Sequence, residues 1–166
     1  ERTERYQLGG VMRRLLRGHN YYEGQLGFTR NTELDLNLRS LVGGGVGRYF
    51  VRSNRAEWLG GVGLAYNHEN FQGEDPIDSM ELLLGTQFSI FSYDFPETDI
   101  GGSLVVLPSL TKSGRYRSEA DLHANYEFVD DLYFELRMYG SYDSEPPGED
   151  LSSSDYGFVT SLGYKF

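Results

Sequence analysis

A chain of 166 residues supports one domain and hardly two, and with Cys 0 it holds no disulfides and no thiolate metal sites. A formal net charge of -10 excludes nucleic acid as a partner, which would call for a basic stripe. No run of about 18 apolar residues occurs, so no helix of this chain crosses a membrane; strands, which carry only half an apolar pattern each, are not excluded.

Gly 21, Tyr 13 and Phe 10 are high for this length. Glycine admits crowded strands and tight turns, and aromatics supply interfacial girdles. No signal peptide is visible at Glu1, so the sequence is expected to be mature, trimmed or a fragment.

Alternation predicts about nine strands, each long enough for the roughly 9–11 residues of a tilted spanning strand. The first is expected over Arg5–Leu16, with Tyr6, Leu8 and Met12 opposing Gln7, Gly9 and Arg13. After a turn at residues 17–20, Tyr21–Arg30 puts Tyr22, Leu26 and Phe28 on one face and Glu23, Gln25 and Thr29 on the other. The third strand, Leu34–Phe50, opposes Leu36, Leu38, Val42 and Val46 to Asp35, Asn37, Arg39, Gly43, Gly45 and Gly47. Its Gly43-Gly44-Gly45 run invites a phosphate-loop reading, but such a loop opens a helix, and Val46 to Phe50 continue as strand. A strand bend or a close approach to the interior is the expectation there.

The fourth strand, Ala56–Glu69, sets Trp58, Val62, Leu64 and Tyr66 against Gly61, Gly63, Ala65 and Asn67. An acidic loop over residues 70–78 precedes the fifth, Ser79–Tyr93, where Leu82, Leu84, Phe88 and Ile90 alternate with Glu81, Gln87 and Ser89. The sixth, Asp99–Thr111, is apolar on both parities at Leu104 to Leu107, and Pro108 removes a ladder donor. A bulge or a locally dry interior accounts for both. The seventh, Tyr116–Phe128, is the clearest of the interior patterns: Ala120, Leu122, Ala124, Tyr126 and Phe128 against Glu119, Asp121, His123, Asn125 and Glu127. Asp130-Asp131 turns into the eighth, Leu132–Tyr142, with Leu132, Phe134, Leu136 and Met138 opposing Tyr133, Glu135, Arg137 and Tyr139. A long Pro-, Ser- and acid-rich loop, 143–154, leads to the last strand, Tyr156–Phe166.

That last strand places Tyr156, Phe158, Leu162, Tyr164 and Phe166 on one parity, and Gly157, Val159, Ser161, Gly163 and Lys165 on the other. An aromatic-flanked apolar face beside a wet face suits lipid outside and a polar lumen inside. The terminal Phe166, with Tyr164, resembles the assembly signal of bacterial outer-membrane barrels, which implies the barrel-assembly machinery as a partner. The fold expected is therefore all-β: an antiparallel up-and-down transmembrane β-barrel in a single domain. With Phe166 at the periplasmic end, the turns at 17–20, 52–55, 95–98 and 130–131 face the periplasm, and the loops at 31–33, 70–78, 112–115 and 143–154 face outward. Nine strands would start the chain outside, whereas bacterial barrels have even counts, so about ten or twelve are expected in the complete protein. The other account of the odd number is a miscount in the glycine-rich third strand.

From Leu36 to Phe166 the chain resembles the outer-membrane proteins of domain of unknown function 481, often labelled salt-induced. The resemblance is carried by Leu36 to Ser40 leading into Gly43 to Phe50, by Gly63 to Phe71, by Leu107-Pro108-Ser109-Leu110, by Tyr142 to Pro147 and by Thr160 to Phe166. It implies a bacterial outer-membrane location and further residues ahead of Glu1. It supplies no catalytic residues.

The inward polar residues Glu119, Asp121, His123, Glu127, Glu135 and Arg137 are expected to form a solvated, salt-bridged lumen network rather than a proton or metal site. Glu74, Asp75, Asp78, Glu149 and Asp150, with Glu145 and Asp155, are the oxygen ligands on offer for a divalent cation. Their spacing is irregular, no calcium-loop pattern is present, and no metal or cofactor is expected. His68 beside Ser79 or Asp75 is the arrangement a rim hydrolase of lipid or protein would need. His19 falls in a periplasmic turn, at the wrong end for such chemistry. The function expected is non-enzymatic: a structural barrel, a partner in a larger envelope complex, or a narrow cation-preferring, porin-like pore among outer-membrane lipid and lipopolysaccharide. A hydrolase and a soluble β-sandwich or lipocalin-like binder are the alternatives.

Overall fold

The computed structural model describes residues 5–31, 36–71, 73, 75–129, 131–145 and 153–164. Among these residues nine strands follow one another: β1 (Arg5–Leu15), β2 (Asn20–Asn31), β3 (Leu36–Arg52), β4 (Ala56–Phe71), β5 (Ile77–Ser92), β6 (Thr98–Pro108), β7 (Tyr116–Val129), β8 (Leu132–Asp143) and β9 (Ser154–Tyr164). Each pairs antiparallel with the next, in the order β1 to β9, giving one continuous meander. Among the described residues there is no α-helix, only a short 3-10 turn at Arg17–His19. No ladder joins β9 to β1 among those residues, so the sheet is open.

The register sorts side chains as the alternation predicts. Across β7 and β8, Asp121 faces Tyr139, His123 faces Arg137 and Asn125 faces Glu135, while Leu122 faces Met138 and Tyr126 faces Phe134. One face is therefore polar and the other apolar, because side chains in register lie on the same side of a sheet. On the apolar face Leu122 is 47%, Phe134 40% and Leu162 68% exposed. They do not converge on a dry centre.

The sheet curls toward its polar face, so that residues of β1 and β7 line one cavity, and β3 and β4 approach closely at their glycines. Gly45 pairs with Gly63 there, and Gly43 and Gly47 pair with Ala65 and Gly61. A Cβ at Gly45 would come within 2.6 Å of the Val62 carbonyl oxygen, and one at Gly63 would run into the Gly44 backbone. The glycine run is thus a close backbone approach within one uninterrupted strand, and β3 counts once. At the end of this ladder Phe50 is extruded between the pairs Tyr49–Leu59 and Val51–Trp58. Tyr49, still in the register of Gly45 and Gly47, lies on the concave side, where it meets Tyr21 edge-on with ring centroids 5.5 Å apart and Leu59 is buried beside them; the bulge puts Val51 on the opposite face with Trp58. Phe50 is left outward against Trp58 at 4.9 Å.

Several expected boundaries move by one or two residues, and the end of the sixth strand by three. The sixth strand ends at Pro108 instead of Thr111, because the ring denies the ladder a donor and the chain then turns. There Ser109 N–H donates to the Arg115 carbonyl and Leu110 N–H to that of Met80. The β6–β7 connection is accordingly 109–115, longer than the sequence suggests. No register shift accompanies Pro108 in either ladder of β6. A bulge is absent among these residues, and the apolar double parity is explained by Leu107, which is buried on the concave face. The strand ends at Leu15 and Asn20, Arg52 and Ala56, Ser92 and Thr98, and Val129 and Leu132 lie at one end of the sheet, and those at Asn31 and Leu36, Phe71 and Ile77, Pro108 and Tyr116, and Asp143 and Ser154 at the other.

Candidate functional site

The concave face carries the chemistry, in two layers separated by an apolar one. Near the longer loops, Glu81 is only 1% exposed and is held by three hydrogen bonds. Asn67 Nδ2 donates to its Oε2 at 2.7 Å, Arg117 Nε donates to its Oε1 at 3.0 Å, and Arg117 Nη2 donates to Oε2. Beside it the buried Glu69 pairs with Arg39 at 2.8 Å. Arg115 forms a two-pronged bond with Asp143, at 3.2 and 2.8 Å. The Asp143 hydrogen bond raises the Arg115 guanidinium above its ordinary value against the opposing effect of burial, and the buried Glu69 and Glu81 add to the rise. Three arginines thus match three carboxylates in one layer.

This layer was not singled out from sequence. Arg39, Asn67 and Glu81 were assigned inward, but the pairing needs register: Arg39 lies opposite Glu69, and Ala65 opposite Glu81. Arg39 and Glu69 lie on neighbouring strands, whereas Glu81 of β5 and Arg117 of β7 meet across β6, a pairing no local pattern announces.

Below the ion pairs, Leu59, Leu83, Val105 and Leu107 line a cavity of about 640 Å³ together with Leu41 of β3 and residues of β1 and β2. Seven successive strands, β1 to β7, contribute to its wall.

At the short-turn end the lumen residues expected from sequence share the concave face but not one network. Arg137 donates to Asp121 Oδ2 from Nε at 3.1 Å and Nη2 at 3.0 Å. His123 lies 3.6 Å from Asp99 and 4.0 Å from Asp121. Glu127 instead caps backbone, accepting from Asp131 N–H at 2.8 Å and Glu97 N–H at 3.4 Å. Glu135 joins Glu127, Glu97, Asp99 and Asp131 around a cleft of about 740 Å³ whose lining contains no cationic residue. Glu119 stands apart on the cavity wall.

On the opposite, convex face His68 Nδ1 lies 2.7 Å from Asp78 Oδ1, which also accepts from the Tyr66 hydroxyl at 2.7 Å. Ser79 is buried on the concave face. His68 and Ser79 are consequently not brought together, because adjacent residues of β5 point to opposite sides and His68 is in register with Asp78. Asp78 is engaged by Tyr66 and His68, while Glu74, Glu149 and Asp150 lie outside the described residues, as does Phe166. Among the described residues no group of three or more His, Cys, Asp or Glu is arranged to hold a metal ion.

A family model described as "Protein of unknown function, DUF481" matches residues 1–166. The match takes in the first two strands as well as the segment on which the resemblance rested. No curated protein matches the chain.

Proposed function

This chain belongs to the DUF481 family, and we propose that it forms most of the wall of a bacterial outer-membrane β-barrel enclosing a narrow, cation-preferring passage. The observation that carries the proposal is the distribution of exposure. Large apolar side chains such as Leu122, Phe134 and Leu162 stand open on the convex face, while buried charges are neutralised on the concave one. A water-soluble sheet would need a cover for so much apolar surface. Lipid is that cover.

Aromatic pairs support it. Phe50 and Trp58 sit near the short-turn end, and Tyr116 and Tyr142 near the longer loops with centroids 5.5 Å apart. Tyr116 and Tyr126 bracket the convex face of β7. At about 3.3 Å per residue and about 40° of tilt their separation corresponds to about 25 Å, the height of an outer-membrane apolar band. Strand edges left open in hydrocarbon would be costly, so closure calls for one to three further strands between β9 and β1. Tyr164 and Phe166 are the residues we assign to recognition by the assembly machinery. Lipid and lipopolysaccharide are the partners of the convex face.

The cation preference follows from the carboxylates around the short-turn cleft, with no lysine or arginine lining it. The ion-pair layer and the inward tyrosines Tyr49, Tyr133 and Tyr139 keep the passage narrow. Reconstitution of the full-length protein in planar bilayers under a potassium chloride gradient tests this. A reversal potential of the cation-selective sign is expected. Anion selectivity, or the absence of conductance, would remove the passage and leave a structural barrel.

A further inference from the structure

The middle of the concave face has an apolar patch between its two charged layers. Leu59, Leu83, Val105 and Leu107 form an apolar floor in a cavity of about 640 Å³, a size typical of small-molecule sites. Gly85 leaves room above that wall, since a Cβ there would make only ordinary contacts, at 3.9 Å with the Leu83 and Val105 side chains and 4.0 Å with the Leu104 carbonyl oxygen.

The charges around this floor can be matched one by one. Arg13 is paired with Glu23, Arg39 with Glu69 and Arg117 with Glu81. Glu119, opposite Val105 in the β6–β7 ladder, has no such partner among the described residues. A cavity with an apolar floor and a polar wall, whose charges are paired except for one carboxylate, is complementary to a monocation with an apolar body.

We propose that this cavity binds hydrophobic organic monocations, the alkyl part on the leucine floor and the ammonium against Glu119. The inference deepens the reading of a cation-preferring passage and rests on the same assignment of the concave face to the interior. An arginine in the ligand's path would repel it; here each arginine is already engaged by its own carboxylate.

The test is calorimetric titration of the full-length protein in lipid nanodiscs with n-hexyltrimethylammonium, using empty nanodiscs to subtract partitioning. Saturable binding near one per chain is expected, and hexanesulfonate, an anion with the same alkyl chain, should give none. Glu119→Gln should weaken the cation at least about tenfold, because the one carboxylate on the cavity wall without a cationic partner is then gone. Gly85→Leu, which fills the cavity while leaving Glu119 in place, should abolish saturable binding. Equal binding of cation and anion, unchanged affinity in either variant, or no saturable heat would overturn the proposal. The cation–anion comparison needs no substituted protein. Because the readout is binding and not current, a protein that binds the cation but does not conduct would refute the passage alone, and one that conducts without binding would refute this site alone.

Discussion

A carboxylate buried as deeply as Glu81 needs hydrogen-bond partners, and the two arms of Arg117 with the Asn67 amide supply them. Arg117→Met removes two of the three bonds and leaves the charge stranded. The expected cost is about 3–5 kcal/mol, read as a lower urea midpoint in detergent micelles. Adding Glu81→Gln to that variant should recover part of the loss, because the stranded charge is then gone. A midpoint unchanged by Arg117→Met would show that the pair does not hold the layer. The glycines give a second prediction. A Cβ at Gly63 meets main chain of β3, whereas one at Gly157 meets only the tip of the Tyr139 ring, which can swing aside. Gly63→Ala should therefore destabilise by about 1–3 kcal/mol and Gly157→Ala by clearly less, in the same unfolding assay.

At the level of the strand, the prediction concerns which face meets hydrocarbon. Leu122→Arg on the convex face of β7 should cost about 2–4 kcal/mol in lipid, while Glu119→Gln three residues earlier on the concave face should cost little. Similar costs for both would remove the distinction between the faces. The same alternation made most of the fold legible. In β7 and β8 polar and apolar residues exchange strictly, and their bounds move by no more than a residue from those read off the sequence. β6 was harder because Leu104 to Leu107 give no period, so only burial of Leu107 reveals which parity faces in. The ion-pair layer was illegible for a different reason: a strand pattern fixes which side a residue takes, but not its height relative to the next strand. Pairing Arg39 with Glu69 requires the bulge-corrected register of β3 against β4. The separation of His68 from Ser79 was, by contrast, already implied by parity once His68 was set in register with Asp78.

For the whole molecule, nine antiparallel strands in sequence order among the described residues form one curved wall with its buried charges paired inside and its leucines and aromatics outside. Whether lipid covers the outside is the claim on which the passage, its selectivity and the cavity all depend. The absence of cysteine in the sequence makes it directly measurable, because single cysteines can be introduced and spin-labelled without a background. Labels at Leu122→Cys, Phe134→Cys and Leu162→Cys, compared with Glu119→Cys, Asp121→Cys and Glu135→Cys, should be read in liposomes by collision with oxygen and with a water-soluble nickel chelate. The account predicts high oxygen and low nickel accessibility for the first set and the reverse for the second. Nickel reaching Leu122, Phe134 and Leu162 as freely as Glu119, Asp121 and Glu135 would contradict it.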